Sequence, residues 1–441
     1  MVAFQNIAGL VLFLAQSVTV QSMDLDSREG ILDAAKALAG DLIEFYNGNK
    51  NGEVPGLLEP PNSMGDGYWW YESGAFMSAY IDYWQLTGDD TYNDIITEGI
   101  QWQAGKNKDF MPMNQTTQEG NDDQAIWAMA AMSAAEYGFP VSSDKDTQWY
   151  DLAKNAWDTQ RKRWDAETAN GTCDGGLRWQ IAYFNNGYDY KSTRISRFID
   201  SDAVADYVTM AFTWLDFGGF IDDKTGAVYD GARVSDNCTA INKIQWSANA
   251  ASLSMGLAYL YNSTNGEAET WKEAIETFTT ATLKTFFTKD GKFKEVACAN
   301  GACSRDMPVY KALTHRWLAV TSQLAPFLSD KILPVLHSSA KSLKAEGNGK
   351  DALEQKLANF AIVSNLLIAD SPSPMRKNET KTETKESSSD HTSSGAATSS
   401  ATTSSASASS TAAVENSAAS LAGSGSFLAI VMLIMVSQWL L

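Results

Sequence analysis

Apolar residues recur at helical spacing along most of this chain, and that periodicity restricts the folds open to it. Clusters of Gly, Asn, Asp and Pro divide the pattern into ten predicted helices: Arg28–Phe45, Ser73–Leu86, Thr91–Gly105, Asp122–Tyr137, Trp149–Arg163, Ala203–Phe217, Ile244–Tyr261, Glu267–Phe286, Tyr310–Leu324 and Asp351–Leu367. Patterns typical of strands are confined to two short segments, Gly226–Tyr229 and Lys292–Val296. The sequence therefore predicts an all-α protein.

Helices in such number, joined in hairpins, become compact either as a solenoid or as a closed double ring. A solenoid requires a repeat of about 20–50 residues, and the sequence contains none. The predicted loops are very uneven in length, as the segments Lys106–Asn121 and Asp165–Ile199 show. We therefore predict a single (α/α)6 barrel with its elaborated loops at one end.

The predicted barrel occupies residues 23–370 and follows a distinct N-terminal segment. Within Met1–Ser22, the apolar run Ile7–Ala15 is shorter than a bilayer-spanning helix requires. A short apolar run that is followed by small residues is typical of a secretory signal peptide. We therefore predict that Met1–Ser22 is a signal peptide and that the protein is secreted; the alternative is an ordinary buried segment.

Beyond the barrel, residues 371–416 become rich in Ser and Thr, a composition that predicts a disordered and O-glycosylated stalk. The final run, Phe427–Leu441, is apolar but short for a spanning helix. Small residues at Asn416–Ala418, a polar spacer and an apolar tail match a GPI-attachment signal. We predict lipid attachment at Asn416, removal of 417–441, and a location at the outer face of the plasma membrane or in the cell wall. The alternative is a tail-anchored helix.

Two further features fit the secretory pathway. Five Asn-x-Ser/Thr sequons occur, at Asn114, Asn170, Asn237, Asn262 and Asn378. The even number of cysteines predicts disulfides in an oxidising compartment. Cys298 and Cys303 enclose a short turn at Asn300-Gly301, where a local bridge closes easily. Of the three possible pairings, we predict the one that contains this bridge and joins Cys173 to Cys238.

Charge and residue usage exclude several classes of function. The net charge of −19 argues against a nucleic-acid partner, which needs clustered Lys and Arg. Only three histidines occur, His315, His337 and His391, which is too few for a histidine-rich metal site. No Gly-x-Ser-x-Gly elbow is present. We therefore predict no metal and no cofactor, and carboxylates become the candidates for acid–base chemistry.

The segment Gly120-Asn121-Asp122-Asp123-Gln124 directly precedes an apolar helical run. We predict a turn at Gly120, an N-cap at Asn121, and both aspartates in the first helical turn, where the backbone dipole favours ionised carboxylates. Acidic residues are common in first turns for that reason alone, which is the structural alternative. Carboxyls on adjacent residues can also lie about 5–5.5 Å apart, as in retaining glycosidases, and such closeness separates their pKa values.

Aromatic side chains are abundant, with 14 Trp, 16 Tyr and 18 Phe, and most are expected in the core of a helical barrel. Others cluster with amides and carboxylates in Tyr68–Glu72, Leu177–Gln180 and Asn185–Tyr190. A flat ring covers the C–H face of a sugar, while amides and carboxylates bond its hydroxyls. These segments are therefore candidates for carbohydrate binding.

Six motifs in chain order resemble glycoside hydrolase family 76, and within it the fungal GPI-anchored mannan endo-1,6-α-mannosidase proteins: Tyr68–Ala75, Ile81–Asp90, Phe110–Gln115, Gly120–Trp127, Gly175–Ile181 and Asn185–Lys191. The resemblance implies an (α/α)6 barrel and a retaining mechanism on α-1,6-linked mannose, with Asp122 as nucleophile and Asp123 as general acid/base. We add a set of candidate substrate-binding residues: Trp69, Trp70, Asn121, Gln124, Trp179, Gln180, Asn186, Tyr188 and Tyr190.

The same resemblance implies a substrate and partners. These are the mannose core of GPI glycans and wall glucan as an acceptor, so that GPI-proteins become linked to the wall; we expect the protein to be a monomer. Three segments depart from the family pattern: Trp70–Ala75, Ile195–Phe198 and Ile244–Asn249. If they line sugar subsites, substrate choice has changed while the catalytic pair remained. The intact pair favours an active enzyme over a catalytically inactive mannan-binding relative, and the lack of repeats disfavours a structural wall protein.

Overall fold

The computed structural model describes residues 23–58, 67–115, 117, 119–141, 143, 146–193, 202–298, 307–343 and 352–374. Its helices are α1 Arg28–Ile43, α2 Trp70–Thr87, α3 Asn93–Gln103, α4 Asn121–Tyr137, α5 Trp149–Ala169, α6 Asp202–Phe217, α7 Ser247–Ser263, α8 Glu269–Phe286, α9 Pro308–Leu324, α10 Ser329–Lys341 and α11 Ala352–Ser364. Its strands are β1 Tyr190–Ser192, β2 Ile221–Asp222, β3 Ala227–Val228, β4 Gly231–Arg233 and β5 Ile241–Asn242. The predicted signal peptide, the predicted lipid-attachment segment and all but the first residues of the predicted stalk lie outside the described residues.

All ten predicted helices are present, with ends that differ by a few residues. The sequence pattern does not indicate α10, because Pro334 lies inside this helix and proline normally interrupts a helical pattern. The predicted strand Gly226–Tyr229 contains β3. The predicted strand Lys292–Val296 is wrong: it forms only one isolated bridge, and its residue Glu295 hydrogen-bonds the start of α7 instead.

The helices form the predicted barrel of two rings. α2, α4, α7, α9 and α11 are buried along nearly their whole length, whereas α3, α5, α8 and α10 are buried mainly on one face. α2 packs against α4, α7 against α9, and α9 against α11. α11 also packs against α2 and α1, so the first and last described helices of the chain are neighbours.

One ion pair crosses the interior of the barrel. Arg316 on α9 donates from Nε to Asp82 Oδ2 on α2 at 2.5 Å, and Asn365 donates to the same oxygen at 3.4 Å. Both charged side chains are buried. Because loss of either partner leaves an uncompensated buried charge, at a cost of about 3–5 kcal/mol, this contact fixes α2 against α9.

Two small antiparallel sheets supplement the helices. β2 pairs with β3, and the other strands form a sheet in the order β1-β4-β5. The Cys173–Cys238 disulfide joins the loop after α5 to the segment after β4, which confirms that predicted pairing. Cys298 is also disulfide-bonded, and Cys303, its predicted partner, lies outside the described residues.

The predicted glycosylation sites differ in exposure. Asn114, Asn170 and Asn237 are exposed and Asn262 is half-buried, whereas Asn378 lies outside the described residues. Their modification stays a prediction. Across the described ranges, no helix combines the length and the apolar character needed to cross a membrane.

Candidate active site

The N-terminal ends of four inner helices, α2, α4, α7 and α9, converge on a cavity of about 540 Å3. That volume is typical of small-molecule sites, which span about 300–1,000 Å3. The aromatic lining consists of Trp69, Trp70, Tyr71, Trp179, Trp246, Tyr310 and Trp317, and the main polar lining of Asp122, Asp123, Gln180, Asn185, Asn186 and Asn249. Since helix N-termini carry partial positive charge, this end of the barrel favours carboxylates.

α4 brings the two adjacent aspartates to the cavity. It begins at Asn121, so the predicted N-cap at Asn121 is wrong and Gly120 takes that position. The Gly120 N–H donates to Asp123 Oδ2 at 2.6 Å, so a carboxylate in the first turn caps its own helix. The Asp123 N–H in turn donates to Asp122 Oδ1 at 3.2 Å. Both side chains are half-buried and face the cavity.

Glycine at position 120 leaves room for these carboxylates. A Cβ added there would lie 2.2 Å from Asp122 Oδ1 and 2.8 Å from Asp123 Oδ2. The residue has φ −93°, a conformation open to any residue. Glycine is therefore required by close approach and not by the unusual backbone turn that the sequence predicts.

Two predicted substrate-binding residues lie behind the aspartates, away from the cavity lining. Asn121 is buried; its Nδ2 donates to the Arg178 carbonyl and its Oδ1 accepts from Arg163 Nε, both at 2.8 Å. Gln124 is also buried, and its Nε2 donates to the Asp109 carbonyl at 2.7 Å. These amides hold the start of α4 against neighbouring segments, so the structure gives them a positioning role.

Glu119 adds a buried acid directly before this turn. Burial raises its pKa to about 8, with a further rise from Asp109 and an opposing effect of Arg163. Neither carboxyl oxygen has a hydrogen-bond partner among the described residues. Glu119 is therefore mostly protonated at neutral pH, which avoids a further negative charge beside Asp122 and Asp123.

The loop after α5 supplies a second wall. Trp179 and Gln180 line the cavity, and Gly120 forms an isolated antiparallel bridge with Gln180. The Trp179 carbonyl accepts from the Asn121 N–H at 2.9 Å, and Gln180 Oε1 accepts from Asn185 Nδ2 at 3.0 Å. The catalytic candidates and this wall are thus joined by backbone bonds.

A buried charge network supports that loop. Lys191 Nζ donates to Glu167 Oε2 at 2.8 Å, and Arg178 Nε donates to Glu167 Oε1 at 2.7 Å. Burial lowers the pKa of Lys191 to about 8. The Arg178 guanidinium lies 4.3 Å from the centre of the Tyr188 ring. Tyr188, predicted to bind substrate, therefore packs against this network and does not line the main cavity.

The remaining predicted binding residues fall into two groups. Trp69, Trp70, Trp179, Gln180 and Asn186 line the main cavity, as a sugar-binding role requires. Tyr190 instead lines a neighbouring cavity, where its hydroxyl donates to Asp230 Oδ2 at 2.7 Å. The prediction of direct sugar contact thus retains geometric support for six of the nine residues, Tyr190 included.

The third wall comes from α7 and α9, where sequence reasoning did not select residues. Trp246 and Asn249 line the cavity at the start of α7, and Tyr310 and Trp317 do so along α9. Their helical spacing indicates a buried face, which the sequence cannot separate from a cavity-lining face. The one available signal was the departure of Ile244–Asn249 from the family pattern.

Glu295 fixes the start of α7. Its carboxylate accepts from the Ser247 N–H at 3.2 Å and from the Ser247 hydroxyl at 2.5 Å. Burial raises the pKa of Glu295 to about 7, although these hydrogen bonds act in the opposite direction. Ser247 follows Trp246 directly, so this contact positions part of the cavity wall.

Within the described ranges, no group of three His, Cys, Asp or Glu side chains is arranged to hold a metal ion. His315 is buried away from the cavity, and burial lowers its pKa to about 3. The side chains that line the cavity are mainly carboxylates, amides and aromatic rings.

Comparisons with known proteins agree with this geometry. Residues 30–378 match the sequence profile of glycosyl hydrolase family 76. The mannan endo-1,6-alpha-mannosidase DCW1 of Saccharomyces cerevisiae is 37% identical, over 75% of this chain and 73% of that protein. The mannan endo-1,6-alpha-mannosidase DFG5 of the same organism is 32% identical, over 86% of this chain and 87% of that protein.

Two solved structures are also similar. Dfg5 from Chaetomium thermophilum, in complex with glucosamine, has a TM-score of 0.74 and 40% identity, and covers 80% of this chain and 94% of that one. An inactive variant of the α-1,6-mannanase GH76A of Salegentibacter sp., in complex with α-1,6-mannotriose, has a TM-score of 0.58 and 13% identity. It covers 76% of this chain and 99% of that one, and at this identity it supports the barrel fold alone.

Proposed function

Because the chain belongs to glycosyl hydrolase family 76, and is therefore a glycoside hydrolase, we propose that it cleaves or transfers α-1,6-linked mannosyl units with retention of configuration. The observation that carries this proposal is the position of Asp122 and Asp123. Both carboxylates reach a cavity walled by aromatic rings from the first turn of an inner helix. Glycosidases of both stereochemical classes use a pair of carboxylates on either side of the scissile bond.

Asp122 acts as the nucleophile in this proposal. The N-terminus of α4 and the N–H of Asp123 both favour its ionised form, which a nucleophile requires. Asp122 attacks the anomeric carbon as the glycosidic C–O bond breaks. The product is a mannosyl ester on the enzyme and a free alcohol.

Asp123 acts as the general acid and then as the general base. The charge of Asp122 raises its affinity for a proton, whereas the Gly120 N–H lowers it. Once Asp122 has become a neutral ester, it no longer repels a negative charge on Asp123. Asp123 therefore gives its proton to the leaving oxygen in the first step and accepts one from water or an acceptor hydroxyl in the second.

The cavity lining suits a mannoside. Trp69, Trp70 and Trp179 offer flat apolar surfaces for the C–H faces of a sugar, while Gln180 and Asn186 can bond hydroxyls. Two relatives more than 30% identical to this chain carry the name mannan endo-1,6-alpha-mannosidase, which supports α-1,6-linked mannose as the reacting unit.

The natural role that we propose is in cell-wall biogenesis. The mannose core of a GPI glycan serves as donor and wall glucan as acceptor, so that GPI-proteins become linked to the wall. The ends of the sequence support this location. In the proposal, 1–22 is a removed signal peptide, 23–370 the catalytic domain, 371–416 a stalk, and Asn416 the lipid-attachment residue of a monomeric enzyme at the outer face of the plasma membrane or in the wall.

The competing function is that of an inactive mannan-binding protein. It needs the same aromatic cavity but no working carboxylates. The test incubates purified protein with a mannosyl-GPI glycan, with and without a β-glucan oligosaccharide, and identifies the products by mass spectrometry. Hydrolysis yields free mannosyl product, and transfer yields a glycan joined to the acceptor. Binding with neither product favours the inactive protein, and α-anomeric product at the first turnover identifies retention.

A further inference from the structure

A second cavity of about 250 Å3 adjoins the main one and shares Trp179 and Asn186 with it. We infer that this cavity, here called the sheet cavity, binds an additional neutral hexose unit of the glycan that occupies the main cavity. That unit belongs either to the donor chain or to the acceptor. The inference rests on the proposed function for the identity of the reaction, but its geometry is independent of the catalytic residues.

The three-stranded sheet builds one wall of this cavity. Tyr190 and Ser192 lie two residues apart on β1 and therefore share one face. Tyr190 pairs with Arg233 on β4, and Gly231 pairs with Asn242 on β5, which brings Arg233 and Asn242 to the same face. The strand register thus presents a phenol, an alcohol, a guanidinium and an amide to one space.

A buried carboxylate organises these groups. Asp230 is 7% exposed, and its Oδ2 accepts from the Tyr190 hydroxyl at 2.7 Å and from Asn242 Nδ2 at 3.0 Å. Asn242 Nδ2 also lies 3.0 Å from the Tyr190 hydroxyl. The three side chains are held in fixed positions before any ligand arrives, which lowers the entropy cost of binding.

The charges select a neutral ligand. The cavity is lined by two carboxylates, Asp189 and Asp230, and by one guanidinium, Arg233. The carboxylates disfavour a phosphate or another anion, and the guanidinium disfavours a cation. Donors and acceptors at fixed positions beside the Trp179 ring match a hexose, which has hydroxyls at its rim and an apolar C–H face.

Trp179 couples the sheet cavity to the reaction centre. The backbone N–H of Trp179 donates to the Tyr190 carbonyl at 2.6 Å. The backbone carbonyl of Trp179 accepts from the Asn121 N–H at the start of α4. Gly187 packs against the ring, where an added Cβ would lie 2.4 Å from a ring carbon. The ring therefore has little freedom, and adjacent sugar units can contact it from the two cavities.

The decisive substitution is Arg233→Ala. Arg233 is exposed, and its side chain makes no hydrogen bond or ion pair to any described residue, so the fold should tolerate its loss. Arg28→Ala removes another exposed arginine, at the start of α1 and outside both cavities, and serves as the matched control. Tyr190→Phe removes a single hydroxyl and gives a second, milder variant.

Each protein is assayed with three probes: an α-mannoside with a small leaving group, α-1,6-mannooligosaccharides of increasing length, and β-glucan oligosaccharides as acceptors. Loss of one charged hydrogen-bond donor should raise KM roughly tenfold or more for ligands that reach the sheet cavity. The small substrate should be unaffected. A rise in KM that is confined to the longer mannosides identifies the bound hexose as part of the donor. A rise in KM that is confined to the acceptor in the transfer reaction identifies it as part of the acceptor.

Two results overturn the inference. One is a KM of Arg233→Ala protein that equals the wild-type KM with every probe, and the other is an equal rise in KM for short and long ligands. Failure of the proposed function looks different, because wild-type protein then turns over no mannoside. In that case calorimetry of wild-type and Arg233→Ala protein with the same oligosaccharides still tests the cavity. Equal affinities reject it, and a loss of affinity for the oligosaccharides that Arg28→Ala does not share supports it.

Discussion

The first turns of α4 and α7 reach the same cavity, and a carboxylate binds the backbone at each, yet the two carboxylates differ in origin and direction. At α4 the helix supplies its own: Asp123 accepts the Gly120 N–H and faces the cavity beside Asp122. At α7 the carboxylate is Glu295, which comes from the segment after α8 and does not line the cavity. Its pKa is raised to about 7 because burial disfavours its charge.

This contrast separates two uses of one local interaction. The positive end of a helix attracts carboxylates whether they react or only cap. At α7 the carboxylate is hydrogen-bonded to Ser247 and anchors a wall of the cavity. At α4 the capping carboxylate belongs to an adjacent pair that remains accessible to a ligand. A carboxylate at a helix start is therefore a catalytic candidate only where it also meets a cavity.

The strongest test of the contrast is Asp122→Asn. We expect activity to fall more than about a hundredfold on every α-mannoside, because no covalent intermediate can form. Steady-state kinetics and mass spectrometry of trapped protein measure this loss. Asp151→Asn is the matched control, because Asp151 also lies in a first turn, that of α5, but is exposed and outside the cavity. A mannosyl ester found on Asp123 would reverse the assigned roles.

Asp123→Ala should have a large but selective effect. We expect a loss of about a hundredfold with leaving groups that need a proton, and a much smaller loss in ester formation with an activated leaving group. Added azide should restore turnover and yield an α-mannosyl azide. A β-configured azide product would contradict retention. Unchanged turnover of substrates with poor leaving groups would remove Asp123 from the mechanism.

Gly120→Ala sharpens the comparison without removing a carboxylate. The new Cβ meets both carboxylates, so we expect displaced side chains, a fall in kcat of about tenfold and a stability loss of about 1–3 kcal/mol. Circular dichroism should show the fold intact. Gly40→Ala is the control: on α1 its Cβ would meet only Tyr92 Oη at 3.9 Å, and the better helix propensity should stabilise the protein. An unaltered kcat for Gly120→Ala would mean that the carboxylate positions are not critical.

Glu295→Gln should affect activity least and the pH dependence of stability most. The folded pKa is about 7 against a reference value of 4.5, so the folded state keeps a proton that the unfolded state releases. The contribution of Glu295 to the free energy of unfolding therefore falls as pH rises from about 4.5 to 7, by up to about 3 kcal/mol, and is constant above that. Urea unfolding of both proteins at several pH values measures the difference.

In that experiment, the unfolding free energy of the variant minus that of wild type should increase between pH 4.5 and 7. Glu273→Gln makes the same change on the exposed face of α8 and should give a profile parallel to wild type. A difference that decreases with pH would show that the hydrogen bonds from Ser247 outweigh burial. Glu295 would then be an ionised cap.

The fold was largely predictable because it depends on local periodicity. Each predicted helix carries its own apolar pattern, and the one missed helix contains Pro334, whose presence hides the pattern. The position of the two aspartates in a first helical turn was predictable for the same reason, since a glycine and then acidic residues precede an apolar helical run. What helical spacing cannot give is the direction of each side chain relative to a cavity.

That limit explains why some predicted site residues do not line the cavity. Asn121 and Gln124 flank the aspartates in sequence, but the helical rotation points them into the protein, where they bind Arg178 and Asp109. Conversely, the helical spacing around Trp317 predicts a core residue on an inner helix, but its side chain lines the cavity. Glu295 could not have been found at all, because its partner Ser247 is remote in sequence and the contact exists only after α7 and α8 have packed.

The neighbouring positions of α1 and α11 set an order for folding. α11 lies near the end of the described chain, so the ring has a gap until almost all of the catalytic domain has been synthesised. Contacts between segments so far apart in sequence form slowly, because the intervening chain must first be ordered. During synthesis at about 5–20 residues per second, the apolar flank of α1 and α2 stays uncovered for many seconds. That flank is therefore open to contact with other proteins until α11 has been synthesised and packs against it.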